Sequence, residues 1–388
     1  MQFELTDEQK VIQESVKRLC YRFDKAYWLD IDTTGAFPSG FFDAMAADGW
    51  IGICMPQEYG GAGLGITEAA LVMRAVAECG GGMTAASAIH VNIFGLNPVV
   101  VFGSSEQKQR MLPPIRDGKQ KACFAVTEAN TGLNTTQLKT RAVDQGDYYL
   151  VNGQKVWIST AQTADKIMLL ARTTPLEEVR KPSEGLSLFY TDLDRSAISV
   201  REMRKMGRKA IDSNELFIAD WKIPKRDLIG EEGRGFEYIL HGMNPERVLL
   251  AAEAVGIGAL AVETAATYAK ERIVFNRPIG QNQAIQHPLA KCWMELEAAW
   301  LMTLSAADRY DKGLECGIAA NAAKYLAAEA GFKSCETAVM THGGFGYSTD
   351  YHVERYLREV MIPRIAPISP HLILCYIAER ALGLPKSY

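Results

Sequence analysis

Little in this 388-residue chain stands at a spacing that would do chemistry unaided. Its eight cysteines (20, 54, 79, 123, 292, 316, 335 and 375) never form Cys-x-x-Cys, and its six histidines offer no His-x-x-x-His pair. No metal site is therefore predicted, and thiols this scattered read as core filling in a reducing compartment. Neither a Gly-x-x-x-x-Gly-Lys-Ser/Thr phosphate loop nor a Gly-x-Ser-x-Gly nucleophile elbow occurs. Gly61, Gly63 and Gly65 loosely echo a dinucleotide fingerprint, but no strand–helix–strand unit surrounds them. Arg201, Arg204, Lys205, Arg208 and Lys209 gather positive charge and read as a solvated strand edge or, alternatively, a phosphate-contacting patch. Asn244-Pro245-Glu246 reads as a helix opening, with an N-cap, a proline at the first position and an acid in the first turn. An acid placed there stabilises the helix dipole by about 0.3–1 kcal/mol and needs no chemistry.

The elements that would position these residues come in three blocks, in line with the two or three domains the length allows. Residues 1–120 read helical: Thr6 caps a segment carrying Val11, Ile12, Val16 and Leu19, a second helix runs from Ser39 to Asp48, and a third from Ala69 to Glu78. Residues 121–230 read as strands, at Lys166–Arg172, Leu186–Thr191, Ile198–Met203 and Glu215–Trp221, with Asn152-Gly153 as the strongest hairpin signal. An antiparallel β domain, sandwich or barrel, is expected there. Residues 231–388 return to helical period, with helices expected from Asn244 to about Asn276 and over Gln283–Asp311, Ile318–His342 and His371–Leu382. The fold class is therefore α+β: a helical N-terminal domain, a middle β domain and a C-terminal helical bundle.

Composition narrows the function. Lysine plus arginine number 42 against 46 acids, a net charge of −4, which argues against a nucleic-acid binder. The opening Met1-Gln-Phe-Glu-Leu is acidic and lacks a signal peptide's apolar segment. The longest apolar stretch, Val248 to Val262, is broken by Glu253 and falls short of the roughly 20 residues a membrane span needs. A soluble, cytoplasmic protein is expected.

Several motifs follow one another in order: Met55-Pro56-Gln57-Glu58-Tyr59-Gly60-Gly61, Val126-Thr127-Glu128, and Asn152-Gly153-Gln154-Lys155-Val156-Trp157-Ile158-Ser159. After them come Lys205-Met206-Gly207 through Glu215-Leu216, Ile229 through Phe236, Arg272-Ile273-Val274-Phe275 and His342-Gly343-Gly344-Phe345-Gly346. Together these resemble the acyl-CoA dehydrogenase family over essentially the whole chain. The resemblance implies an FAD enzyme that removes hydrogens from Cα and Cβ of an acyl-CoA thioester, with flavin N5 accepting the hydride. By position, Phe124, Val126, Thr127, Trp157 and Ser159 would line the flavin, and Gly132 would lie near the pyrophosphate. Arg272, Phe275, Gln283 and Gly344 would contact the adenylate of a neighbouring subunit's FAD. A homotetramer or mixed tetramer, and an electron-transfer flavoprotein as electron acceptor, follow from the same resemblance.

Abstraction of an α-proton needs a carboxylate in an apolar pocket. Most family members place that glutamate in the loop before the last helix, where this chain has Pro367. A minority takes it from the long helix of the bundle, directly before an arginine, and Glu246-Arg247 matches. The resemblance thus makes Glu246 the base and Arg247 a substrate-orienting residue. Pro367 also lacks the N–H that would polarise the thioester, leaving Ile368 or Ser369 to supply it. Leu133 replaces a serine on the substrate side, Met340 a glutamine at the adenylate, and His371 a glutamine near the flavin adenosine. A flavin oxidase or monooxygenase with a non-CoA substrate, and a non-catalytic subunit of a mixed complex, are the alternative readings.

Overall fold

The computed structural model describes residues 4–94 and 96–387, so the reading of Met1–Phe3 lies outside the described residues. The first helix, α1 (Asp7–Cys20), begins where the sequence places its cap. Thr6 Oγ1 accepts from the Gln9 N–H at 3.2 Å, and Gln9 returns the bond to the Thr6 N–H at 3.1 Å. There follow α2 (Lys25–Thr34), α3 (Ser39–Ala47), α4 (Ile66–Val76), α5 (Gly82–Phe94), α6 (Asn97–Phe102) and α7 (Ser105–Arg116). Between α4 and α5 the backbone leaves helical geometry at Cys79 and Gly80, next to the expected end of the third helix at Glu78.

The middle of the chain forms β1 (Ala122–Ala125), β2 (Arg141–Asp144), β3 (Tyr148–Ser159), β4 (Lys166–Arg172), β5 (Leu186–Asp192), β6 (Ile198–Glu202), β7 (Ser213–Pro224) and β8 (Leu228–Ile229). They make one sheet in the order β6-β7-β3-β2-β4-β5-β8. The sheet is antiparallel along most of its length, but β1 runs parallel to β4 and a parallel bridge joins β2 to β4, which corrects a wholly antiparallel expectation.

Asn152-Gly153 is not a turn. Both residues lie inside β3, and the hairpin turns instead between Asp144 and Tyr148. Asn152 spends its side chain across the sheet, donating to Asp220 Oδ1 at 3.1 Å and accepting from the Asp220 N–H at 2.9 Å. Gly153 sits at a bulge where a Cβ would lie 2.5 Å from Thr140 Oγ1. Gly153→Ala is therefore expected to cost about 1–3 kcal/mol by overpacking, read as a lower urea midpoint with an unchanged slope.

The remainder is helical: α8 (Gly235–Glu271), a small hairpin of β9 (Ile273–Val274) and β10 (Arg277–Pro278), α9 (Gln283–Asp311), α10 (Gly317–His342), α11 (Val353–Glu359), α12 (Met361–Ile365) and α13 (Pro370–Leu382). Here too one expectation fails. Asn244 caps nothing, because α8 starts nine residues earlier and carries Pro245 in its interior. The helix also ends before Asn276, at Glu271. Its 37 residues include an 18-residue window with mean hydropathy 1.7, so α8, like the stretch Ile66–Phe102, is long and apolar enough to cross a membrane, contrary to the sequence estimate. That window is 83% buried inside the chain, where α8 packs against α4, α5, α9 and α10. One apolar core joins the N-terminal helices, the inner face of the sheet and α8; a second lies within the sheet and a third between α8, α10 and α11.

Candidate active site

Moving the start of α8 changes what Glu246 can be. An acid three turns into a helix has no free N–H groups to stabilise, so the dipole explanation for it falls away. Glu246 and Glu253 are seven residues apart and share one face of α8. Into the space between them comes His90 from α5. Its Nε2 lies 2.7 Å from Glu246 Oε2, and its Nδ1 makes a very short contact with Glu253 Oε1. Two ionised carboxylates only accept, so a ring bonded to both must donate from both nitrogens and is assigned as imidazolium. Burial opposes that charge, but the two carboxylates outweigh it and hold the His90 pKa well above its ordinary value. For Glu246, burial pushes the pKa up, and the charge and hydrogen bond of His90, with Arg247, more than offset it, leaving the carboxyl below the ordinary range.

The two carboxylates differ in access. Glu253 keeps 1% of its side chain exposed and Glu246 29%, so Glu246 alone can meet a substrate. Arg247 beside it donates to Asn244 Oδ1 at 3.0 Å, while its buried Nε has no partner among the described residues. Lys324 of α10, 1% exposed, donates to the Ile368 carbonyl at 2.8 Å and so pins the loop that contains Pro367. Burial, then the nearby Arg247 cation, brings its pKa down to about 8. The amides of Ile368 and Ser369 meet no protein acceptor among the described residues, so both are free to donate. Ser369 itself caps α13, and His371, its second residue, is exposed.

The sheet supplies a second group. β1 leads into Val126 and Thr127, and the Thr127 carbonyl accepts from the Val156 N–H at 2.9 Å, which sets Phe124, Val126 and Thr127 beside Trp157 and Ser159. Buried Lys155 fastens the two segments from below, donating to the Val126 carbonyl at 2.9 Å and to Glu128 Oε1 at 3.0 Å. Trp157 has φ 64°, occupies a bulge in β3, and is 58% exposed. A large ring turned outward by a strained backbone is suited to covering another flat ring. Gly132 and Leu133 are exposed, with nothing near Gly132 where a side chain would stand.

A third group lies at the far end of α8, about 26 residues and roughly 39 Å from Glu246. Arg272, Tyr268, Ile279, Met340, His342 and Gly344 line an open cleft of about 520 Å³. Phe275, 94% exposed, and Gln283 lie outside that lining. The basic cluster resolves differently from its reading as one solvated edge: Arg201 and Arg204 are exposed, but Arg208 is buried and donates to Ser87 Oγ at 2.7 Å. His90, and its pairing with Glu253, are the parts of this cluster that the sequence reading missed. The available signal was Glu253, a charge interrupting a buried apolar run, which demands a partner.

Three family models match in sequence: "Acyl-CoA dehydrogenase, N-terminal domain" over residues 6–119, the middle domain over 123–221 and the C-terminal domain over 233–367. The chain belongs to the acyl-CoA dehydrogenase family. It is 34% identical over 388 residues to the acyl-CoA dehydrogenase FadE12 of Mycobacterium tuberculosis, covering 99% of this chain and 98% of that protein. It is 33% identical over 334 residues to CarC, a subunit of the caffeyl-CoA reductase–Etf complex of Acetobacterium woodii (86% and 87% covered). Among solved structures, the FAD complex of PigA superposes with a TM-score of 0.93 at 26% identity, covering 99% of this chain and 100% of that one. The acyl-CoA dehydrogenase fold thus places the Glu246 cluster, the Trp157 face and the Arg272 cleft in one architecture.

Proposed function

We propose that this protein is an FAD-dependent acyl-CoA dehydrogenase in which Glu246 removes the α-proton of the thioester. The observation that carries the reading is the Glu246 carboxylate, held ionised by His90 yet partly open, beside a half-buried arginine. Arg247, next in the chain and held by Asn244 through one guanidinium nitrogen, orients the substrate near that carboxylate. Ile368 and Ser369 offer their amides to the thioester oxygen in place of the N–H that Pro367 lacks.

The residues present fit FAD. Phe124, Val126, Thr127, Trp157 and Ser159 would hold the ring, Gly132 leaves room for the pyrophosphate, and the cleft at Arg272 and Gly344 would take an adenylate. FAD bound there would supply the acceptor for the β-hydride. The separation of that cleft from Glu246 along α8 supports the reading that one chain completes the cofactor site of another, in a homotetramer or mixed tetramer. Phe275 and Tyr347, each at least 90% exposed, suit such an interface. An electron-transfer flavoprotein would take the electrons, in keeping with the likeness to CarC. Eight free thiols suit the cytoplasm.

Anaerobic mixing with short, branched, long-chain and ring-bearing acyl-CoAs is expected to bleach the flavin with at least one of them. Pro367 is the observation that favours an oxidase on a non-CoA substrate, for which peroxide would be released without any acyl-CoA. A colourless protein that gains flavin only with a partner chain would instead mark a non-catalytic subunit.

A further inference from the structure

Proton abstraction asks two things of a carboxylate in a closed site: it must be ionised before the substrate arrives, and one oxygen must point at the α-carbon. Burial works against the first requirement, and free rotation about the last side-chain bond against the second. Glu246 meets both through one neighbour. His90 Nε2 stands 2.7 Å from Glu246 Oε2, which leaves Oε1 as the free oxygen. The imidazole cannot swing away, because its other nitrogen is held by Glu253, which is buried one heptad further along the same helix.

The surroundings keep this arrangement charged. From α8 come Glu246, Glu253 and Arg247; from the loop before β7 comes Arg208, whose buried guanidinium acts on Glu253. From α11 comes Glu359, which acts on Arg208 and is itself paired with Arg355 at 3.1 Å. On α5, Ser87 anchors Arg208. Arg355 offsets the third carboxylate and Arg208 lies near the second, so the imidazolium of His90 is shared by Glu246 and Glu253 alone.

We propose that His90 is a positioning residue for proton abstraction: it donates one ring N–H to Glu246 and the other to Glu253, holding one oxygen of Glu246 while keeping the other ionised and open. The proposal rests on Glu246 being the base. Two consequences follow with opposite signs. Removing the imidazolium leaves Glu246 buried without its counter-charge, so the acidic limb of the rate profile moves to higher pH. Removing Glu253 leaves His90 with one counter-charge in place of two, so the imidazolium loses its proton at lower pH. The neutral ring then keeps its one N–H at Nε2, on Glu246, but no longer supplies the counter-charge, and an alkaline limb set by that loss moves down.

The test measures flavin reduction by a saturating acyl-CoA against pH in the holoenzyme, and α-proton exchange of the same acyl-CoA in D2O by mass spectrometry. His90→Gln is expected to raise the acidic limb by one pH unit or more in both readouts, with near-normal KM and most of the rate regained at high pH. Glu253→Gln is expected to lower the alkaline limb by a similar amount. A uniform loss of rate at all pH values, or both limbs unmoved in FAD-loaded variants, would overturn the role of His90. If His90→Gln retains no FAD, the Glu253→Gln limb decides alone. Glu246→Gln separates the two readings: exchange at the normal rate in that variant removes the base itself, whereas its loss together with an unshifted His90→Gln profile removes only the positioning role.

Discussion

Replacing Glu246 by glutamine is expected to slow acyl-CoA-driven flavin reduction by about 10²–10⁴-fold, the usual contribution of a positioned base. The substitution keeps size and hydrogen bonding to His90 and removes only the lone-pair basicity of an ionised oxygen. FAD content, thermal midpoint and acyl-CoA affinity should therefore stay close to normal, and the loss should fall on kcat. The pH dependence has a definite sign. Because His90 and Arg247 hold the Glu246 carboxyl below its ordinary range, the native enzyme should keep its rate as pH falls through the usual carboxylate region and lose it only below. Stopped-flow traces at 450 nm, taken with a substrate that bleaches the native flavin, provide the measurement. A variant that bleaches as fast as the native enzyme would return Glu246 to the rank of an ordinary buried acid.

The second large effect is expected at Glu359. This fully buried carboxylate accepts from the Thr84 N–H at 3.0 Å and the Thr84 hydroxyl at 2.7 Å, and pairs with Arg355, itself 2% exposed. Glu359→Ala would strand the Arg355 guanidinium inside the bundle and leave the first turn of α5 without its acceptor. Breaking a buried pair from one side costs about 3–5 kcal/mol, far more than the pair's net worth, because the surviving charge has nowhere to go. Urea denaturation followed by far-ultraviolet dichroism should show that loss. A drop under about 1 kcal/mol would mean that water reaches Arg355. Since α5 also carries His90, six residues beyond Thr84, the same variant should blunt the acidic tolerance of catalysis before it unfolds the chain.

How much of this could be read in the chain depends on how far apart the interacting residues lie. Helix α9 and strand β4 match their expected limits because period and breakers are local properties, written in the residues that adopt them. Asn152-Gly153 and Asn244-Pro245-Glu246 mislead for the complementary reason. Each has the local signature of a turn or a cap, and each is overruled by contacts with distant residues, Thr140 and Asp220 in one case and the apolar bed of α8 in the other. The resemblance of Glu246-Arg247 to the family motif pointed to the helix face that His90 meets. His90 stayed hidden, because nothing local ties it to carboxylates 156 and 163 residues away. Only a question about where a buried Glu253 finds its counter-charge would have raised it.

The course of α8 bears on recombination. Gly235, its first residue, lies so close to β5 that a Cβ there would stand 2.5 Å from the Leu188 nitrogen, and the preceding Arg234 bridges to Leu186. The other end of the helix reaches the Arg272 cleft. One continuous rod thus starts on the sheet, passes the Glu246 cluster and ends at the site that would serve a neighbouring chain. A chimaera joined at residue 230 would mate a foreign helix to a native strand, whereas a junction in the loop after Glu271 would carry the first turn of α8 along with the sheet that shapes it. Shuffled libraries of this fold should therefore recover folded offspring more often from crossovers after α8 than from crossovers before it.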